Sequence, residues 1–338
     1  WKVNYDKLPS GIDGLAEKIN KIGMKFGLWF EPEMISPDSD LYREHPDWAI
    51  HIDEREGVQS RNQMVLDLSR DEVCEYVINA VSDILANANI EYVKWDMNRQ
   101  LTDMPRLGYN HEYTLGYYKI MSAITEKFPN ILFEGCSAGG GRFDAGVLAY
   151  MPQIWTSDNS DAIARLKMQY STSMCYPVYS ISSHVTASPN HQCGRVTSLK
   201  TRADVAYCGT FGYELDVTKM SDEEFKEIKA QIKFEKRIQD LMCNGDLYRL
   251  INPYETNYCS WEVISKDKKH IFVMACKVLA VAQTKSEKVK LQGLDVNKRY
   301  RNMLTGKVYS SDFLMYHGIR VNYEMKDFST VVFEFAEI

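Results

Sequence analysis

The chain of 338 residues lacks the features of several large protein classes. No apolar run approaches the roughly 18 residues of a membrane span, and the N-terminus has no charged region followed by an apolar one. Its net charge of -6 is not offset by any long basic run. We therefore expect neither a membrane nor a nucleic-acid partner, and small neutral ligands fit the composition better.

The sequence also lacks the spacings of metal and nucleotide sites. Its 8 cysteines include no CxxC pair, and its histidines have no metal-ligand spacing. Scattered cysteines without a disulfide framework predict reduced thiols and a cytoplasmic protein. The glycine-rich stretch at 136–144 has the wrong spacing for a dinucleotide fingerprint, and no Lys-Ser/Thr pair follows it. We expect no metal ion and no organic cofactor.

From residue 11 to about 243, short apolar runs alternate with stretches that have the periodicity of a helix. This alternation predicts βα units around a parallel sheet. The candidate strands are 26–31, 64–67, 91–96, 131–135, 154–157, 178–182 and 209–213. The candidate helices are 14–22, 71–86, 113–128, 161–173, 199–206 and 221–242. A closed βα barrel has about eight strands, so one strand is missing from this set.

The pattern of apolar and polar residues changes after about residue 253. Alternating β runs then follow at 258–263, 270–275, 288–291 and 330–335. Their spacing predicts a small antiparallel sandwich. We therefore predict two domains, a partial barrel at 1–253 and a β-sandwich at 254–338.

Two carboxylates follow predicted strands. In YVKWDMNR (residues 92–99) a strand ends at Asp96, and in WTSDNSD (residues 155–161) Asp158 and Asp161 precede a helix. Strand ends of parallel α/β folds carry the active site, and a pair of carboxylates is the minimum for glycoside hydrolysis. Each acid could equally be a helix cap or half of an ion pair, and a lone strand-end Asp is more often one of these.

Aromatic and small residues accompany the acids. Trp29, Trp95 and Trp155 lie near three strand ends, which favours a carbohydrate cleft, although any one of them is more often a core residue. In CSAGGGRFD (residues 136–144) the small residues would let the backbone approach a ligand, and a simple turn is the alternative. Cys136 has no His-Asp partner pattern, so we interpret it as a packing or sugar-contact residue.

Six separate blocks together make the chain resemble the α-galactosidases of glycoside hydrolase family 36. They are GLWFEPEM (27–34), YVKWDMNR (92–99), CSAGGGRFD (136–144), WTSDNSD (155–161), SHV with PNHQ (183–185 and 189–192) and GTFGYELD (209–216). The resemblance implies a (β/α)8 TIM-type barrel followed by a small antiparallel β-sandwich. It implies a retaining enzyme that forms a covalent galactosyl intermediate.

The same resemblance suggests roles for individual residues. Asp96 would be the nucleophile and Asp158 the general acid/base. Asp161 is the less favoured acid and becomes a substrate-binding candidate. The other implied sugar contacts are Trp29, Arg61, Lys94, Cys136 and Gly139.

One family feature is absent from this sequence. Members carry a DDGW block on the first barrel strand and a large β-sandwich before it, and neither is present in this chain. Residues 1–9 resemble the loop that follows that strand. We therefore expect the C-terminal part of a longer enzyme, which would form a homo-oligomer or associate with the missing N-terminal portion.

The expected function is hydrolysis of terminal α-galactosides of the melibiose and raffinose type by double displacement. Three alternatives stay open: a transglycosylating relative, an α-N-acetylgalactosaminidase, and a truncated sugar-binding fragment without activity. The sequence separates them only weakly, through the small groups expected at the sugar 2-position. It also leaves open whether this part of the enzyme is active alone.

Overall fold

The structure is a computed structural model that describes residues 2–282, 287–321 and 326–338. Trp1, the first residue of the predicted loop at 1–9, lies outside the described residues. The chain divides into two compact units, Trp1–Thr156 and Ser157–Ile338. The first unit carries the block around Asp96, and the second carries Asp158 and the antiparallel sheet.

The first unit alternates strands and helices. Its elements, among the described residues, are α1 (Gly11–Lys21), β1 (Gly27–Phe30), β2 (Met34–Ile35), α2 (Asp40–Glu44), β3 (Met64–Val65), α3 (Asp71–Asn87), β4 (Tyr92–Trp95), α4 (Tyr109–Lys127), β5 (Leu132–Gly135), α5 (Ala145–Leu148) and β6 (Gln153–Trp155). Strands β1, β4, β5 and β6 form a parallel sheet in that order. The parallel order puts the residues after each strand at one edge of the sheet.

One predicted strand does not join this parallel sheet. Residues 64–67 contribute only the short β3, which pairs antiparallel with β2 through Met34 opposite Val65. The expectation of seven parallel strands is therefore wrong for this segment. An apolar run of this length has the same pattern in a ribbon as in a sheet, so the sequence could not separate the two.

Helices α3 and α4 cover the sheet of the first unit with closely packed apolar faces. In α3 the buried residues include Val73, Val77 and Val81, spaced four apart on one face. In α4 Gly116 lies so close to the carbonyl oxygen of Leu68 that an added Cβ would be 1.8 Å from it. The absence of a side chain at this glycine therefore sets how near α4 packs to the chain before α3.

The second unit begins with βα elements and continues as an antiparallel sheet. Its elements are α6 (Ala162–Thr172), β7 (Ile181–Thr186), α7 (Leu199–Ala206), β8 (Thr210–Glu214), α8 (Asp222–Asn244), β9 (Asp246–Ile251), β10 (Tyr258–Ile264), β11 (His270–Lys277), β12 (Lys288–Val289), β13 (Arg299–Asn302), β14 (Val308–Ser310), β15 (Ile319–Arg320) and β16 (Ser329–Glu337). Strands β7 and β8 pair in parallel. The capping box of Ser221 and Glu224 fixes the start of α8.

The antiparallel sheet has the strand order β14-β13-β16-β11-β10-β9, and β12 pairs with β15 in a separate ribbon. Strand β9 pairs with β10, so this sheet begins before residue 254. The domain boundary at 253/254 stays a prediction. Parallel βα units followed by an antiparallel β domain are the architecture that the sequence predicts.

Candidate active site

The carboxylate of Asp96 lies just beyond the end of β4, where three neutral donors hold it. Its Oδ2 accepts hydrogen bonds from Nε1 of Trp29 at 3.2 Å and from Nδ2 of Asn98 at 2.7 Å. Its Oδ1 accepts one from the backbone N–H of Met97 at 2.8 Å. Asp96 is buried, so these three bonds fix the plane of a carboxylate that water can barely reach.

Backbone hydrogen bonds continue past the strand ends and place these groups together. The N–H of Asp96 donates to the carbonyl of Phe30, and the N–H of Cys136 donates to the carbonyl of Trp95. The residues that follow β1, β4 and β5 are therefore held side by side at the carboxyl edge of the sheet. This is the edge at which parallel α/β folds carry their chemistry.

Glu31 supports Asn98 from the side of β1. Its Oε1 accepts hydrogen bonds from the backbone N–H of Asn98 at 3.1 Å and from Nδ2 at 2.9 Å. Nη1 of Arg61 lies 3.4 Å from the same oxygen. Arg61 is a predicted sugar contact, and the structure places its half-exposed side chain beside Glu31.

Lys94 joins a second group of buried polar side chains. Its Nζ lies 3.8 Å from Oε1 of Glu134 and 4.6 Å from the ring centre of Trp155. The hydroxyl of Tyr92 donates to Glu134, and Gln153 donates to that hydroxyl at 3.1 Å. Burial, and then the charge of Glu134, raise the pKa of Tyr92 well above its usual value. The predicted donor Lys94 is thus oriented by a carboxylate on the neighbouring strand.

The glycine-rich loop after β5 forms a tight turn beside Asp96. Gly139 has φ +86°, and its carbonyl accepts a hydrogen bond from the N–H of Ser137 at 2.8 Å. Burial, together with the negative charge of Asp96, raises the pKa of the Cys136 thiol to about 12. Cys136 is therefore a neutral, buried neighbour of the carboxylate, and its sugar contact stays a prediction.

The three tryptophans differ in exposure. The side chain of Trp29 is 48% exposed, whereas Trp95 is fully buried and Trp155 nearly so. Nε1 of Trp95 donates to the buried carboxylate of Glu33 at 2.8 Å. Of the three, Trp29 offers an open ring face, whereas Trp95 and Trp155 have the core position that the sequence left open for each tryptophan.

A cavity of about 710 Å³ opens next to this group within the first unit. It lies between the loop after β4, the start of α4 and the loop after β5, with Asn98, Ser137 and Tyr117 among its walls. Its size falls in the range of small-molecule sites.

The second unit carries the other predicted acids. Asp158 is exposed in the segment before α6. Asp161 is buried, its Oδ2 accepts from the N–H of Ala164 at 2.9 Å, and Nε of Arg195 lies 3.1 Å from both of its oxygens. Asp161 thus has the helix-cap and ion-pair contacts that the sequence left open as an alternative. Its sugar contact stays a prediction.

No pattern in the sequence predicts a role for Glu31, Asn98, Glu33 or Glu134. Glu31, Glu33 and Asn98 lie inside the family blocks, and Glu134 lies in an apolar strand, where a charged side chain is unusual. A carboxylate in the middle of the apolar run at 131–135 was the available signal for Glu134.

No cluster of metal-ligating side chains occurs among the residues that the structure describes. In the same described ranges, no helix is both long and apolar enough to cross a membrane.

Two family models match the chain. The Melibiase model matches residues 1–245, and the model of the glycosyl hydrolase family 36 C-terminal domain matches residues 258–335. The matched ranges follow the order of the barrel and the β domain. They account for most of the sequence.

Relatives that align with the whole of this chain are named as alpha-galactosidases. The chain is 48% identical to the alpha-galactosidase AgaA of Geobacillus stearothermophilus, over 100% of this chain and 47% of AgaA. It is 45% identical to the alpha-galactosidase Mel36A of Lactobacillus acidophilus, over 100% of this chain and 47% of Mel36A. The chain spans about half the length of the curated relatives it matches.

A solved structure gives the same result. The crystal structure of an AgaA variant in complex with raffinose superimposes with a TM-score of 0.97, covering 100% of this chain and 48% of that one. This likeness confirms the predicted fold class, an incomplete βα barrel with a C-terminal antiparallel β domain. With the two family models, it shows that this chain belongs to glycoside hydrolase family 36.

Proposed function

We propose that this chain carries the catalytic carboxylates of a retaining α-galactosidase that acts on terminal α-galactosides. The observation that carries the proposal is the carboxylate of Asp96, buried at a strand end and held by Trp29 and Asn98 in a chain of family 36. Relatives named as alpha-galactosidases, one of them solved with raffinose, support the substrate class.

In the first step an oxygen of Asp96 attacks the anomeric carbon, and the bond from that carbon to the leaving oxygen breaks. Asp158 protonates the leaving oxygen, so a galactosyl ester of Asp96 and a free alcohol result. In the second step Asp158 takes a proton from water, water attacks the same carbon, and Asp96 leaves as a carboxylate. Two inversions return the α configuration.

The side chains around Asp96 fit these steps. The donors on Oδ2 stabilise negative charge, which Asp96 carries before attack and regains when it leaves. The open ring of Trp29 can contact the sugar, and Lys94 is oriented by Glu134 to donate to a hydroxyl. By the family resemblance, Cys136 and Gly139 would lie near the sugar 2-hydroxyl.

We further propose that activity belongs to the complete enzyme, through association with the N-terminal portion or with other copies of the protein. The length of the relatives supports this, because the chain spans only about half of it.

The test is to follow hydrolysis of p-nitrophenyl α-galactoside by NMR, with the 338-residue chain and the full-length enzyme in parallel. Initial release of α-galactose supports the proposal, and initial release of the β anomer would overturn the double displacement. If the full-length enzyme hydrolysed the corresponding α-N-acetylgalactosaminide and not the galactoside, the proposed substrate class would be wrong.

A further inference from the structure

Asn98 bridges two carboxylates with a single amide group. Its Nδ2 lies 2.7 Å from Oδ2 of Asp96 and 2.9 Å from Oε1 of Glu31. A side-chain amide has only two N–H hydrogens, and here each one points to a different acid. The amide oxygen is therefore turned away from both carboxylates.

Glu31 holds Asn98 in this orientation. The backbone N–H of Asn98 also donates to Oε1 of Glu31, at 3.1 Å, and the side chain of Glu31 is almost fully buried. Hydrogen bonds to charged acceptors are the strong class, and a flipped amide would place its oxygen against a carboxylate. The contacts with Asp96 and with Glu31 therefore both oppose rotation of the Asn98 amide.

The effect of this arrangement falls on Asp96. Trp29 at 3.2 Å and Asn98 at 2.7 Å share Oδ2, and Asn98 is the shorter of the two side-chain contacts. Without it, only the long contact from Trp29 on Oδ2 and the backbone N–H of Met97 on Oδ1 would oppose rotation of the carboxylate about its Cβ–Cγ bond. A nucleophile must meet the anomeric carbon in line with the leaving bond, so a small rotation costs rate.

We propose that Asn98 is the positioning residue of the Asp96 carboxylate, and that Glu31 acts through Asn98 by fixing its amide. This inference rests on the proposed function, in which Asp96 is the nucleophile. It assigns Glu31 and Asn98 no contact with substrate. Loss of either should therefore lower the rate of attack more than it weakens the binding of galactose.

The test uses the full-length enzyme with Asn98→Ala, the nearly isosteric Asn98→Asp, and Asn87→Ala as the matched control. Asn87 is exposed at the end of α3 in the same unit. Each variant is assayed for kcat and KM. Each is also treated with an α-galactose-configured cyclitol epoxide, which Asp96 would open by forming a C–O ester bond while the epoxide oxygen takes a proton.

We expect Asn98→Ala to lower both kcat and the rate of epoxide labelling by about 100-fold, with KM within about threefold of the wild-type value. Asn87→Ala should match the wild type in both assays. Labelling and turnover of Asn98→Ala near wild-type rates would overturn the positioning role.

The pH dependence of kcat/KM for Asn98→Asp gives a further readout, which would not change if the role of Asn98 were purely structural. Its new carboxyl faces Asp96 and Glu31, with Arg61 beside Glu31 and the neutral Cys136 thiol beside Asp96. Like charges raise the pKa of such a group, and once protonated it can again donate to Asp96. The ratio of the kcat/KM of Asn98→Asp to that of Asn98→Ala should rise as the pH falls from about 7.5 to 5. A flat ratio would contradict the donor role.

Glu31 provides the second pair of variants, should Asn98→Ala fail to fold. Glu31→Gln keeps an acceptor for the amide and should retain most of the labelling rate, whereas Glu31→Ala should lose about tenfold or more. Equal rates for the two would overturn the role of Glu31. Asp96→Ala is run in parallel: if it still turns over, the proposed function fails, whatever the Asn98 variants do.

Discussion

Arg142 and Glu33 form an ion pair inside the first unit, with Nη1 of Arg142 2.8 Å from Oε1 and 2.9 Å from Oε2 of Glu33. The carboxylate also accepts from Nε1 of Trp95 and from the hydroxyl of Tyr113 at 2.6 Å. Arg142 lies in the glycine-rich loop after β5. The pair therefore ties that loop to the chain after β1, next to the strand that delivers Asp96.

Glu33→Ala should destabilise the protein by about 3–5 kcal/mol, because it leaves the Arg142 charge and two buried donors without their acceptor. The measurement is the free energy of unfolding in urea. The control is Glu17→Ala, which removes an exposed pair with Lys21 and should change the stability little. A loss no larger than that of the control would mean that the buried pair does not hold the loop.

Gly116→Ala should destabilise the protein, although alanine is normally the better helix former by about 1 kcal/mol. The reason is the backbone oxygen of Leu68, which would lie 1.8 Å from the new Cβ, so that α4 would have to move. Thermal unfolding of this variant beside Leu115→Ala, a half-exposed position on the same helix, measures the effect. An unchanged or raised Tm for Gly116→Ala would show that α4 can shift freely.

Glu262 should make the second unit less stable as the pH rises. Burial raises the pKa of this carboxyl to about 8, and its one described hydrogen bond is from the N–H of Gln292 at 2.8 Å. The native state thus holds a proton that the unfolded state has already released above its ordinary pKa. The contribution to stability is fully present below about pH 4.5 and is lost as the pH rises through 8.

Glu262→Gln removes this titration. Its free energy of unfolding, relative to the wild-type protein, should rise by roughly 3 kcal/mol between pH 5 and pH 8. Glu56→Gln, at an exposed position, should show no such pH dependence. Parallel pH profiles for Glu262→Gln and the wild type would place an ionised carboxylate in the native core and contradict the account.

The sequence predicted those features that depend on short stretches of chain. Helix α7 was predicted with its observed ends, and β4 within one residue at each end, because apolar periodicity and capping residues are local. Strand β9 was missed because its residues are only partly buried and lack a clean alternation. The ribbon of β2 and β3 was missed because a four-residue run does not determine which strand it pairs with.

The same distinction applies to the site. The position of Asp96 at a strand end followed from its own block of sequence. The bond from Asn98 to Glu31 joins residues 67 apart in the chain, and spacing alone gives no reason to pair them. The sequence left open whether Trp95 lies in a cleft or in the core, because Glu33, the partner that accepts its indole N–H, is buried on another segment.

Asp158→Ala in the full-length enzyme should slow raffinose-type sugars by about 10²–10⁴-fold in the first step. Activated aryl galactosides should lose far less, since a good leaving group needs little protonation. Comparison of kcat/KM for the two substrate classes measures this. Asp161→Asn is the matched variant: it removes the negative charge beside Arg195 but keeps an acceptor for the start of α6, and it should affect both classes equally. Equal losses for Asp158→Ala would exclude it as the acid.

Azide rescue of Asp96→Gly in the full-length enzyme would show whether Asp96 is the nucleophile. Removal of the carboxylate leaves a space beside Trp29 and Asn98 that a small anion can enter. Azide should then attack the anomeric carbon from the face that Asp96 uses. We expect the variant to be inactive alone and to form β-galactosyl azide when azide is added. A folded variant that still hydrolyses α-galactosides, or that gives α-galactosyl azide, would contradict the assignment of Asp96 as the nucleophile.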